Sequence, residues 1–172
     1  IVGNIYGRTH EDKGMNVRPI IEGTTYTISR RTSRREFRMA PTSEINNCLR
    51  YCAAWAQKRS GVVIHGLVMM SNHYHIVLTD PGGKLPVFTE TFNRLVARAL
   101  NCYQGQQESF WNGAAQVSHV ILGDDATILD QMGYVLANPV TAGLVAHGNT
   151  WPGERLWQPW KDQSHPADLL LS

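Results

Sequence analysis

No apolar run in the sequence approaches the roughly 20 residues that a membrane-spanning helix needs, so hydropathy argues against a transmembrane protein. No signal peptide is recognisable either. The chain opens on Ile1 rather than methionine, so the natural start is expected to lie elsewhere. Cysteine is scarce. Cys48, Cys52 and Cys102 are an odd count that makes no disulfide framework and fits reduced thiols in a cytoplasm. Cys48 and Cys52 lie four apart in a helical stretch, where small apolar residues face a core, and no further ligands at zinc spacing accompany them. No glycine-rich phosphate loop occurs, and the net charge of +2 is too small to point to a partner by itself. What is present is an ordinary globular composition, 42% hydrophobic over 172 residues, enough for one domain with a core.

The charge is unevenly placed. Arg30, Arg31, Arg34, Arg35 and Arg38 put five arginines within nine residues. Such a cluster either grips phosphates, with release of counterions, or forms a solvated loop.

Residues 1–22 read as an N-terminal extension, loosely ordered over its first 17 residues. Residues 23–150 read as the functional domain, and 151–172 as an irregular tail whose Trp151, Trp157 and Trp160 dock onto it. Within the domain, Thr24 to Ser29 alternates as a strand does. Thr42 and Glu44 mark a helix start, and helical spacing runs from Ile45 to Ser60, where Gly61 ends it. Val62 to Met70 is a nearly continuous apolar run, suited to a strand buried on both faces. Ser71-Asn72 breaks it, and His73 to Thr79 returns as a second strand of a hairpin, closed by Asp80-Pro81-Gly82-Gly83. A helix is predicted over Thr89 to Gln104, with a stripe of Phe92, Leu95, Val96, Ala99, Cys102 and Tyr103. A strand follows over Gln116 to Leu122, then a helix from Asp124-Asp125 to about Pro139. This order is the split βαβ pattern of an α+β, ferredoxin-like fold, an antiparallel sheet with helices packed on one face. That fold hosts many functions and decides none.

Two constellations carry chemistry. In His73-Tyr74-His75, residues two apart on a strand point to the same face, so both imidazoles can bind one metal while Tyr74 turns into packing. Such a pair also arises by chance as surface or core histidines. In the last helix, the apolar stripe of Ile128, Leu129, Met132, Val135 and Leu136 leaves Tyr134 nearly opposite, with Asn138 one turn on along its face. Asn138 offers a neutral oxygen to a metal; the alternative is a surface tyrosine and a helix-ending asparagine.

At these residues the chain resembles a known family. The segment Val68-Met69-Met70-Ser71-Asn72-His73-Tyr74-His75-Ile76-Val77-Leu78 is similar to the HUH box of single-tyrosine transposases. Tyr134 to Val145, YVLANPVTAGLV, is similar to the downstream box of the REP-associated tyrosine transposases and their IS200-like relatives. Both boxes occur in this order about sixty residues apart, and the resemblance runs from about Gly23 to Trp151. Ser71 stands where proline is common in the family. The resemblance implies a single-stranded DNA endonuclease and strand transferase of the HUH type, acting at hairpin-bearing DNA. His73, His75 and Asn138 would hold a divalent metal, Mg or Mn, and Tyr134 would be the nucleophile. A 5′-phosphotyrosine intermediate would form, so no nucleotide cofactor is needed. The two imidazoles by themselves would suit zinc or manganese as well. The resemblance also implies a cytoplasmic, nucleoid-associated protein and a monomer, with the domain-exchanged dimer of the insertion-sequence branch as the alternative.

With the resemblance, Arg30, Arg31, Arg34, Arg35 and Arg38 are expected to bind DNA phosphates, and Arg94 and Arg98 either add to that surface or are solvated. Phe110 and Trp111 either stack on unpaired bases or pack in the core. His119 is a lesser candidate neighbour of the site, and His65 reads as a core histidine. The competing functions are a domesticated hairpin-binding protein that no longer cuts, another HUH nuclease such as a replication initiator or relaxase, and a zinc hydrolase. An intact His73, His75, Tyr134 and Asn138 set argues against a pure binder.

Overall fold

Five antiparallel strands form one sheet in the order β4-β1-β3-β2-β5, from β1 (Thr24–Arg31), β2 (Val63–Met69), β3 (His73–Asp80), β4 (Ser118–Leu122) and β5 (Arg155–Trp157). Three helices pack on it: α1 (Ser43–Ser60), α2 (Leu85–Gln104) and α3 (Asp125–Thr141). The structure is a computed structural model that describes residues 19–113 and 116–157. The expectations for the first 17 residues and for Trp160 lie outside the described residues. No helix among the described residues is long and apolar enough to cross a membrane.

The α+β split βαβ arrangement is present, because β3 inserts between β1 and β2, and β1 between β3 and β4. The helices, however, do not share one face. Period-2 alternation sends Tyr74, Ile76 and Leu78 of β3 to one side, where they form a core with Tyr26, Ile28, Ile64 and Leu67 under α1 and α2. Val77, Val68 and Met70 point to the other side and pack against Ile128, Met132 and Val135 of α3. The near-continuous apolar character of β2 is the mark of this two-sided burial.

Several boundaries move for physical reasons. α2 begins at Leu85, before the expected Thr89, because the buried Asp80 carboxylate accepts from the backbone N–H groups of Lys84 (2.8 Å) and Leu85 (2.7 Å) and caps the helix from a distance. Its buried stripe runs through Phe88, Phe92, Val96 and Leu100, while Cys102 and Tyr103, expected on the stripe, are exposed. α3 continues through Pro139 to Thr141. The ring disturbs only the preceding turn, and the Pro139 carbonyl still accepts from Leu144 N–H at 3.0 Å. Leu129, expected on the apolar stripe of α3, is exposed.

The segment after Trp151 is not irregular throughout. Arg155–Trp157 adds a fifth strand beside β2. Trp151, 8% exposed, donates its indole N–H to the Met69 carbonyl at 2.9 Å, and Arg50 pairs with Glu154 at 2.9 Å. At Gly153 a Cβ would sit 2.7 Å from the Met69 carbonyl oxygen and against the Trp151 indole nitrogen, so only glycine fits this crossing.

Candidate active site

β3 carries His73 and His75 on the α3 side of the sheet, with ring centroids 5.0 Å apart and planes nearly perpendicular. Tyr74 between them is fully buried on the opposite side. It donates its hydroxyl to Asn93 Oδ1 at 3.2 Å and packs edge-on against Phe92 and Trp111. Strand alternation alone produces this split. Across the sheet, Ser29 stands beside His75 and Arg31 beside His73.

α3 brings the second half of the site. Ile128, Met132, Val135 and Pro139 face the sheet, and Asn138 lies between that stripe and Tyr134 around the helix. Asn138 is therefore only 8% exposed, while Tyr134 is 52% exposed. Tyr134 is thus not opposite the packed face but at its margin. Its ring stands edge-on to His75 with centroids 6.3 Å apart. The Asn138 side chain lies beside His73. The four residues singled out from the sequence meet at one place, built from two elements.

Burial pushes the His75 imidazole down to about 4, helped by His73 and by the Arg31 guanidinium. His73 is lowered too, by burial and then by Arg31, against a raising contribution from Asn138. Both rings are neutral at neutral pH, the form that ligates a metal. His73 Nδ1 lies 2.7 Å from Asn72 Oδ1. Among the described residues no group of three or more His, Cys, Asp or Glu side chains gathers to hold a metal. The donor set here is two imidazoles and one amide oxygen, a combination that suits a divalent ion with open positions for substrate.

The arginine cluster divides. Arg31, Arg34 and Arg35 are exposed, Arg31 on the histidine side of β1 and the others in the loop against the Ser71–Asn72 turn. Arg30 points to the opposite face of the sheet, half-buried 5.4 Å from the Trp111 ring, and burial lowers its pKa. Arg38 corrects the expectation of a phosphate contact. It is 4% exposed, donates Nε to Gln104 Oε1 (2.8 Å) and Nη2 to Asn101 Oδ1 (2.7 Å), and lies 4.8 Å from the Phe110 ring. Arg94 and Arg98 are exposed on α2, across the sheet from the histidines, and so do not extend that surface.

Phe110 and Trp111 are core residues, Trp111 donating its indole N–H to the Asn93 carbonyl at 2.8 Å. His119 pairs across β4 with Ile28 and contacts Tyr26, which places it on the far face from His73 and His75. His65 is a buried core histidine with Nε2 2.8 Å from Thr79 Oγ1 and a pKa lowered to about 4 by burial. The sequence reading passed over Asn72, seen there only as a turn residue, although an amide immediately before the first histidine was the available signal.

No family profile matches the chain, and no curated protein is similar to it. Among solved structures, the chain is similar to a REP-associated tyrosine transposase bound to a REP hairpin. The TM-score is 0.66 and the identity 18%, covering 79% of this chain and 78% of that one. A provisionally named transposase from Deinococcus radiodurans R1 aligns at 17% identity over 70% of this chain and 94% of that one, with a TM-score of 0.46. The chain therefore has the fold of a REP-associated tyrosine transposase.

Proposed function

We propose that the protein is a HUH-type single-tyrosine transposase of the REP-associated kind, a nuclease and strand transferase on single-stranded DNA at a hairpin. The observation that carries this reading is the convergence of Tyr134 from α3 with His73 and His75 from β3, Asn138 beside them. A pure hairpin binder has no need of that set. The fold shared with a transposase bound to a REP hairpin supports the same class of partner.

In this reading His73, His75 and the Asn138 amide oxygen would hold Mg or Mn, and the ion would withdraw charge from the scissile phosphate. The Tyr134 oxygen attacks phosphorus, the bond to the 3′-oxygen breaks, and a 5′-phosphotyrosine forms. The phenolic proton passes to solvent and the departing 3′-oxygen takes up a proton. The phosphodiester is exchanged for another ester, so strand joining is the reverse reaction and needs no nucleotide cofactor. Arg31, Arg34 and Arg35 neutralise backbone phosphates alongside.

The test is incubation of a labelled single-stranded hairpin from the gene's own surroundings with Mg or Mn, using wild type, Tyr134→Phe and His75→Ala. Metal-dependent cleavage by wild type and loss in both variants, with hairpin binding retained, is expected. Cleavage that survives Tyr134→Phe would point to water as nucleophile, and binding without cleavage to a domesticated binder.

A further inference from the structure

The Ser71–Asn72 turn before β3 is enclosed by the arginine loop. Thr32 donates its backbone N–H to the Asn72 carbonyl at 2.9 Å, its hydroxyl is shared between the Glu36 carbonyl at 2.7 Å and the Asn72 carbonyl at 3.0 Å, and Met39 N–H donates to the Ser71 carbonyl at 2.8 Å. The Asn72 side chain adds two bonds in opposite directions. Its Nδ2 donates to the Arg35 carbonyl at 3.1 Å, and its Oδ1 lies 2.7 Å from His73 Nδ1.

These two bonds fix each other. The Arg35 carbonyl can only accept, so the amide nitrogen must face it and the amide oxygen must face His73. That oxygen can only accept, so His73 carries its hydrogen on Nδ1 and keeps the lone pair on Nε2. Arg34 and Arg35 are both left-handed, at φ 52° and 58°, a conformation that L-residues rarely take and that persists only where neighbours hold it. The bond from Asn72 lands on the carbonyl of the second of them.

We infer that Asn72 is a positioning residue with two ends: one sets the His73 tautomer so that Nε2 is the ligating nitrogen, the other holds the Arg34–Arg35 loop in place beside it. One amide thereby registers the metal-ligating histidine against the arginines that face phosphate. Only the metal and DNA ends of this inference rest on the function proposed above; the tautomer and the loop tether do not.

The experiment compares wild type, Asn72→Ala and Asn72→Asp. In metal-free protein, ¹⁵N NMR of the His73 ring should show the Nδ1–H tautomer in wild type and in Asn72→Asp, whose carboxylate still accepts, and lose it in Asn72→Ala. Cobalt(II) titration should weaken by 10–100-fold in Asn72→Ala and by much less in Asn72→Asp, as expected when an outer hydrogen bond to a ligand is lost. Binding of a labelled hairpin oligonucleotide should weaken in both variants, since neither can donate to the Arg35 carbonyl. An Nε2–H tautomer in wild type, or an unchanged tautomer and cobalt affinity in Asn72→Ala, would overturn the inference. If wild type binds neither cobalt nor hairpin, the proposed function fails, while the NMR result still decides the role of Asn72.

Discussion

Replacing Arg38 with alanine should cost folding stability, whereas the same change at its neighbour Arg34 should not. Arg38 makes two charge-assisted hydrogen bonds, to Gln104 Oε1 and Asn101 Oδ1, and lies over Phe110. Each such bond contributes about 1.5–3 kcal/mol and the ring contact about 1 kcal/mol. Both acceptors are only partly buried, so water recovers part of the loss. A net cost of about 3–4 kcal/mol results, a large share of a typical stability of about 5–15 kcal/mol. With a urea slope of about 2 kcal/mol/M, the denaturation midpoint should fall by about 1.5–2 M. Arg34 is exposed, and alanine occupies the same left-handed backbone no worse than arginine does, so Arg34→Ala should stay within about 0.5 kcal/mol of wild type. Hairpin affinity should instead drop for Arg34→Ala, with its salt dependence reduced by about one phosphate contact. Urea curves for Arg38→Ala that overlay wild type would refute the structural assignment of this arginine.

Two further outcomes follow from packing and burial. Gly153→Ala places a methyl against the Met69 carbonyl and the Trp151 indole, and should cost about 1–3 kcal/mol by loosening β5; a thermal melt and proteolysis of the 151–157 segment check this, and an unchanged pattern counts against the tight crossing. His65 has a folded-state pKa depressed to about 4, below the ordinary value near 6.5, so its contribution to stability is complete above about pH 6.5 and is lost as pH falls toward 4. That contribution is on the order of 2–3 kcal/mol. Melting temperatures between pH 7.5 and 4.5 should decline more steeply in wild type than in His65→Gln, and parallel profiles would show that His65 is not the group responsible.

The sequence displays most directly those features that depend on short-range periodicity. His73 and His75 share a face because strands alternate, and Tyr134 and Asn138 lie one turn apart on α3. The same alternation separates Arg30 from Arg31, which becomes apparent once β1 is known to extend to Arg31 rather than stop at Ser29. Long-range partners are another matter. Arg38 is buried by Asn101 and Gln104, more than sixty residues away. α2 is capped by an aspartate at the end of the preceding strand instead of an adjacent hydroxyl. β5 has only three residues, too few for any alternation, and exists because Trp151 and Glu154 anchor it. Both faces of β2 announce that something covers each side, but nothing local says which helix goes where.

The central claim is that Tyr134 attacks DNA, and mapping the protein–DNA adduct tests it most directly. After reaction of wild type with a metal ion and a hairpin substrate carrying a 5′-flanking single strand, nuclease digestion and peptide mass spectrometry should find a nucleotide esterified through its 5′-phosphate to the peptide containing Tyr134. Tyr134→Phe should give no adduct. An adduct on another residue, or cleavage with no adduct in wild type, would contradict the account.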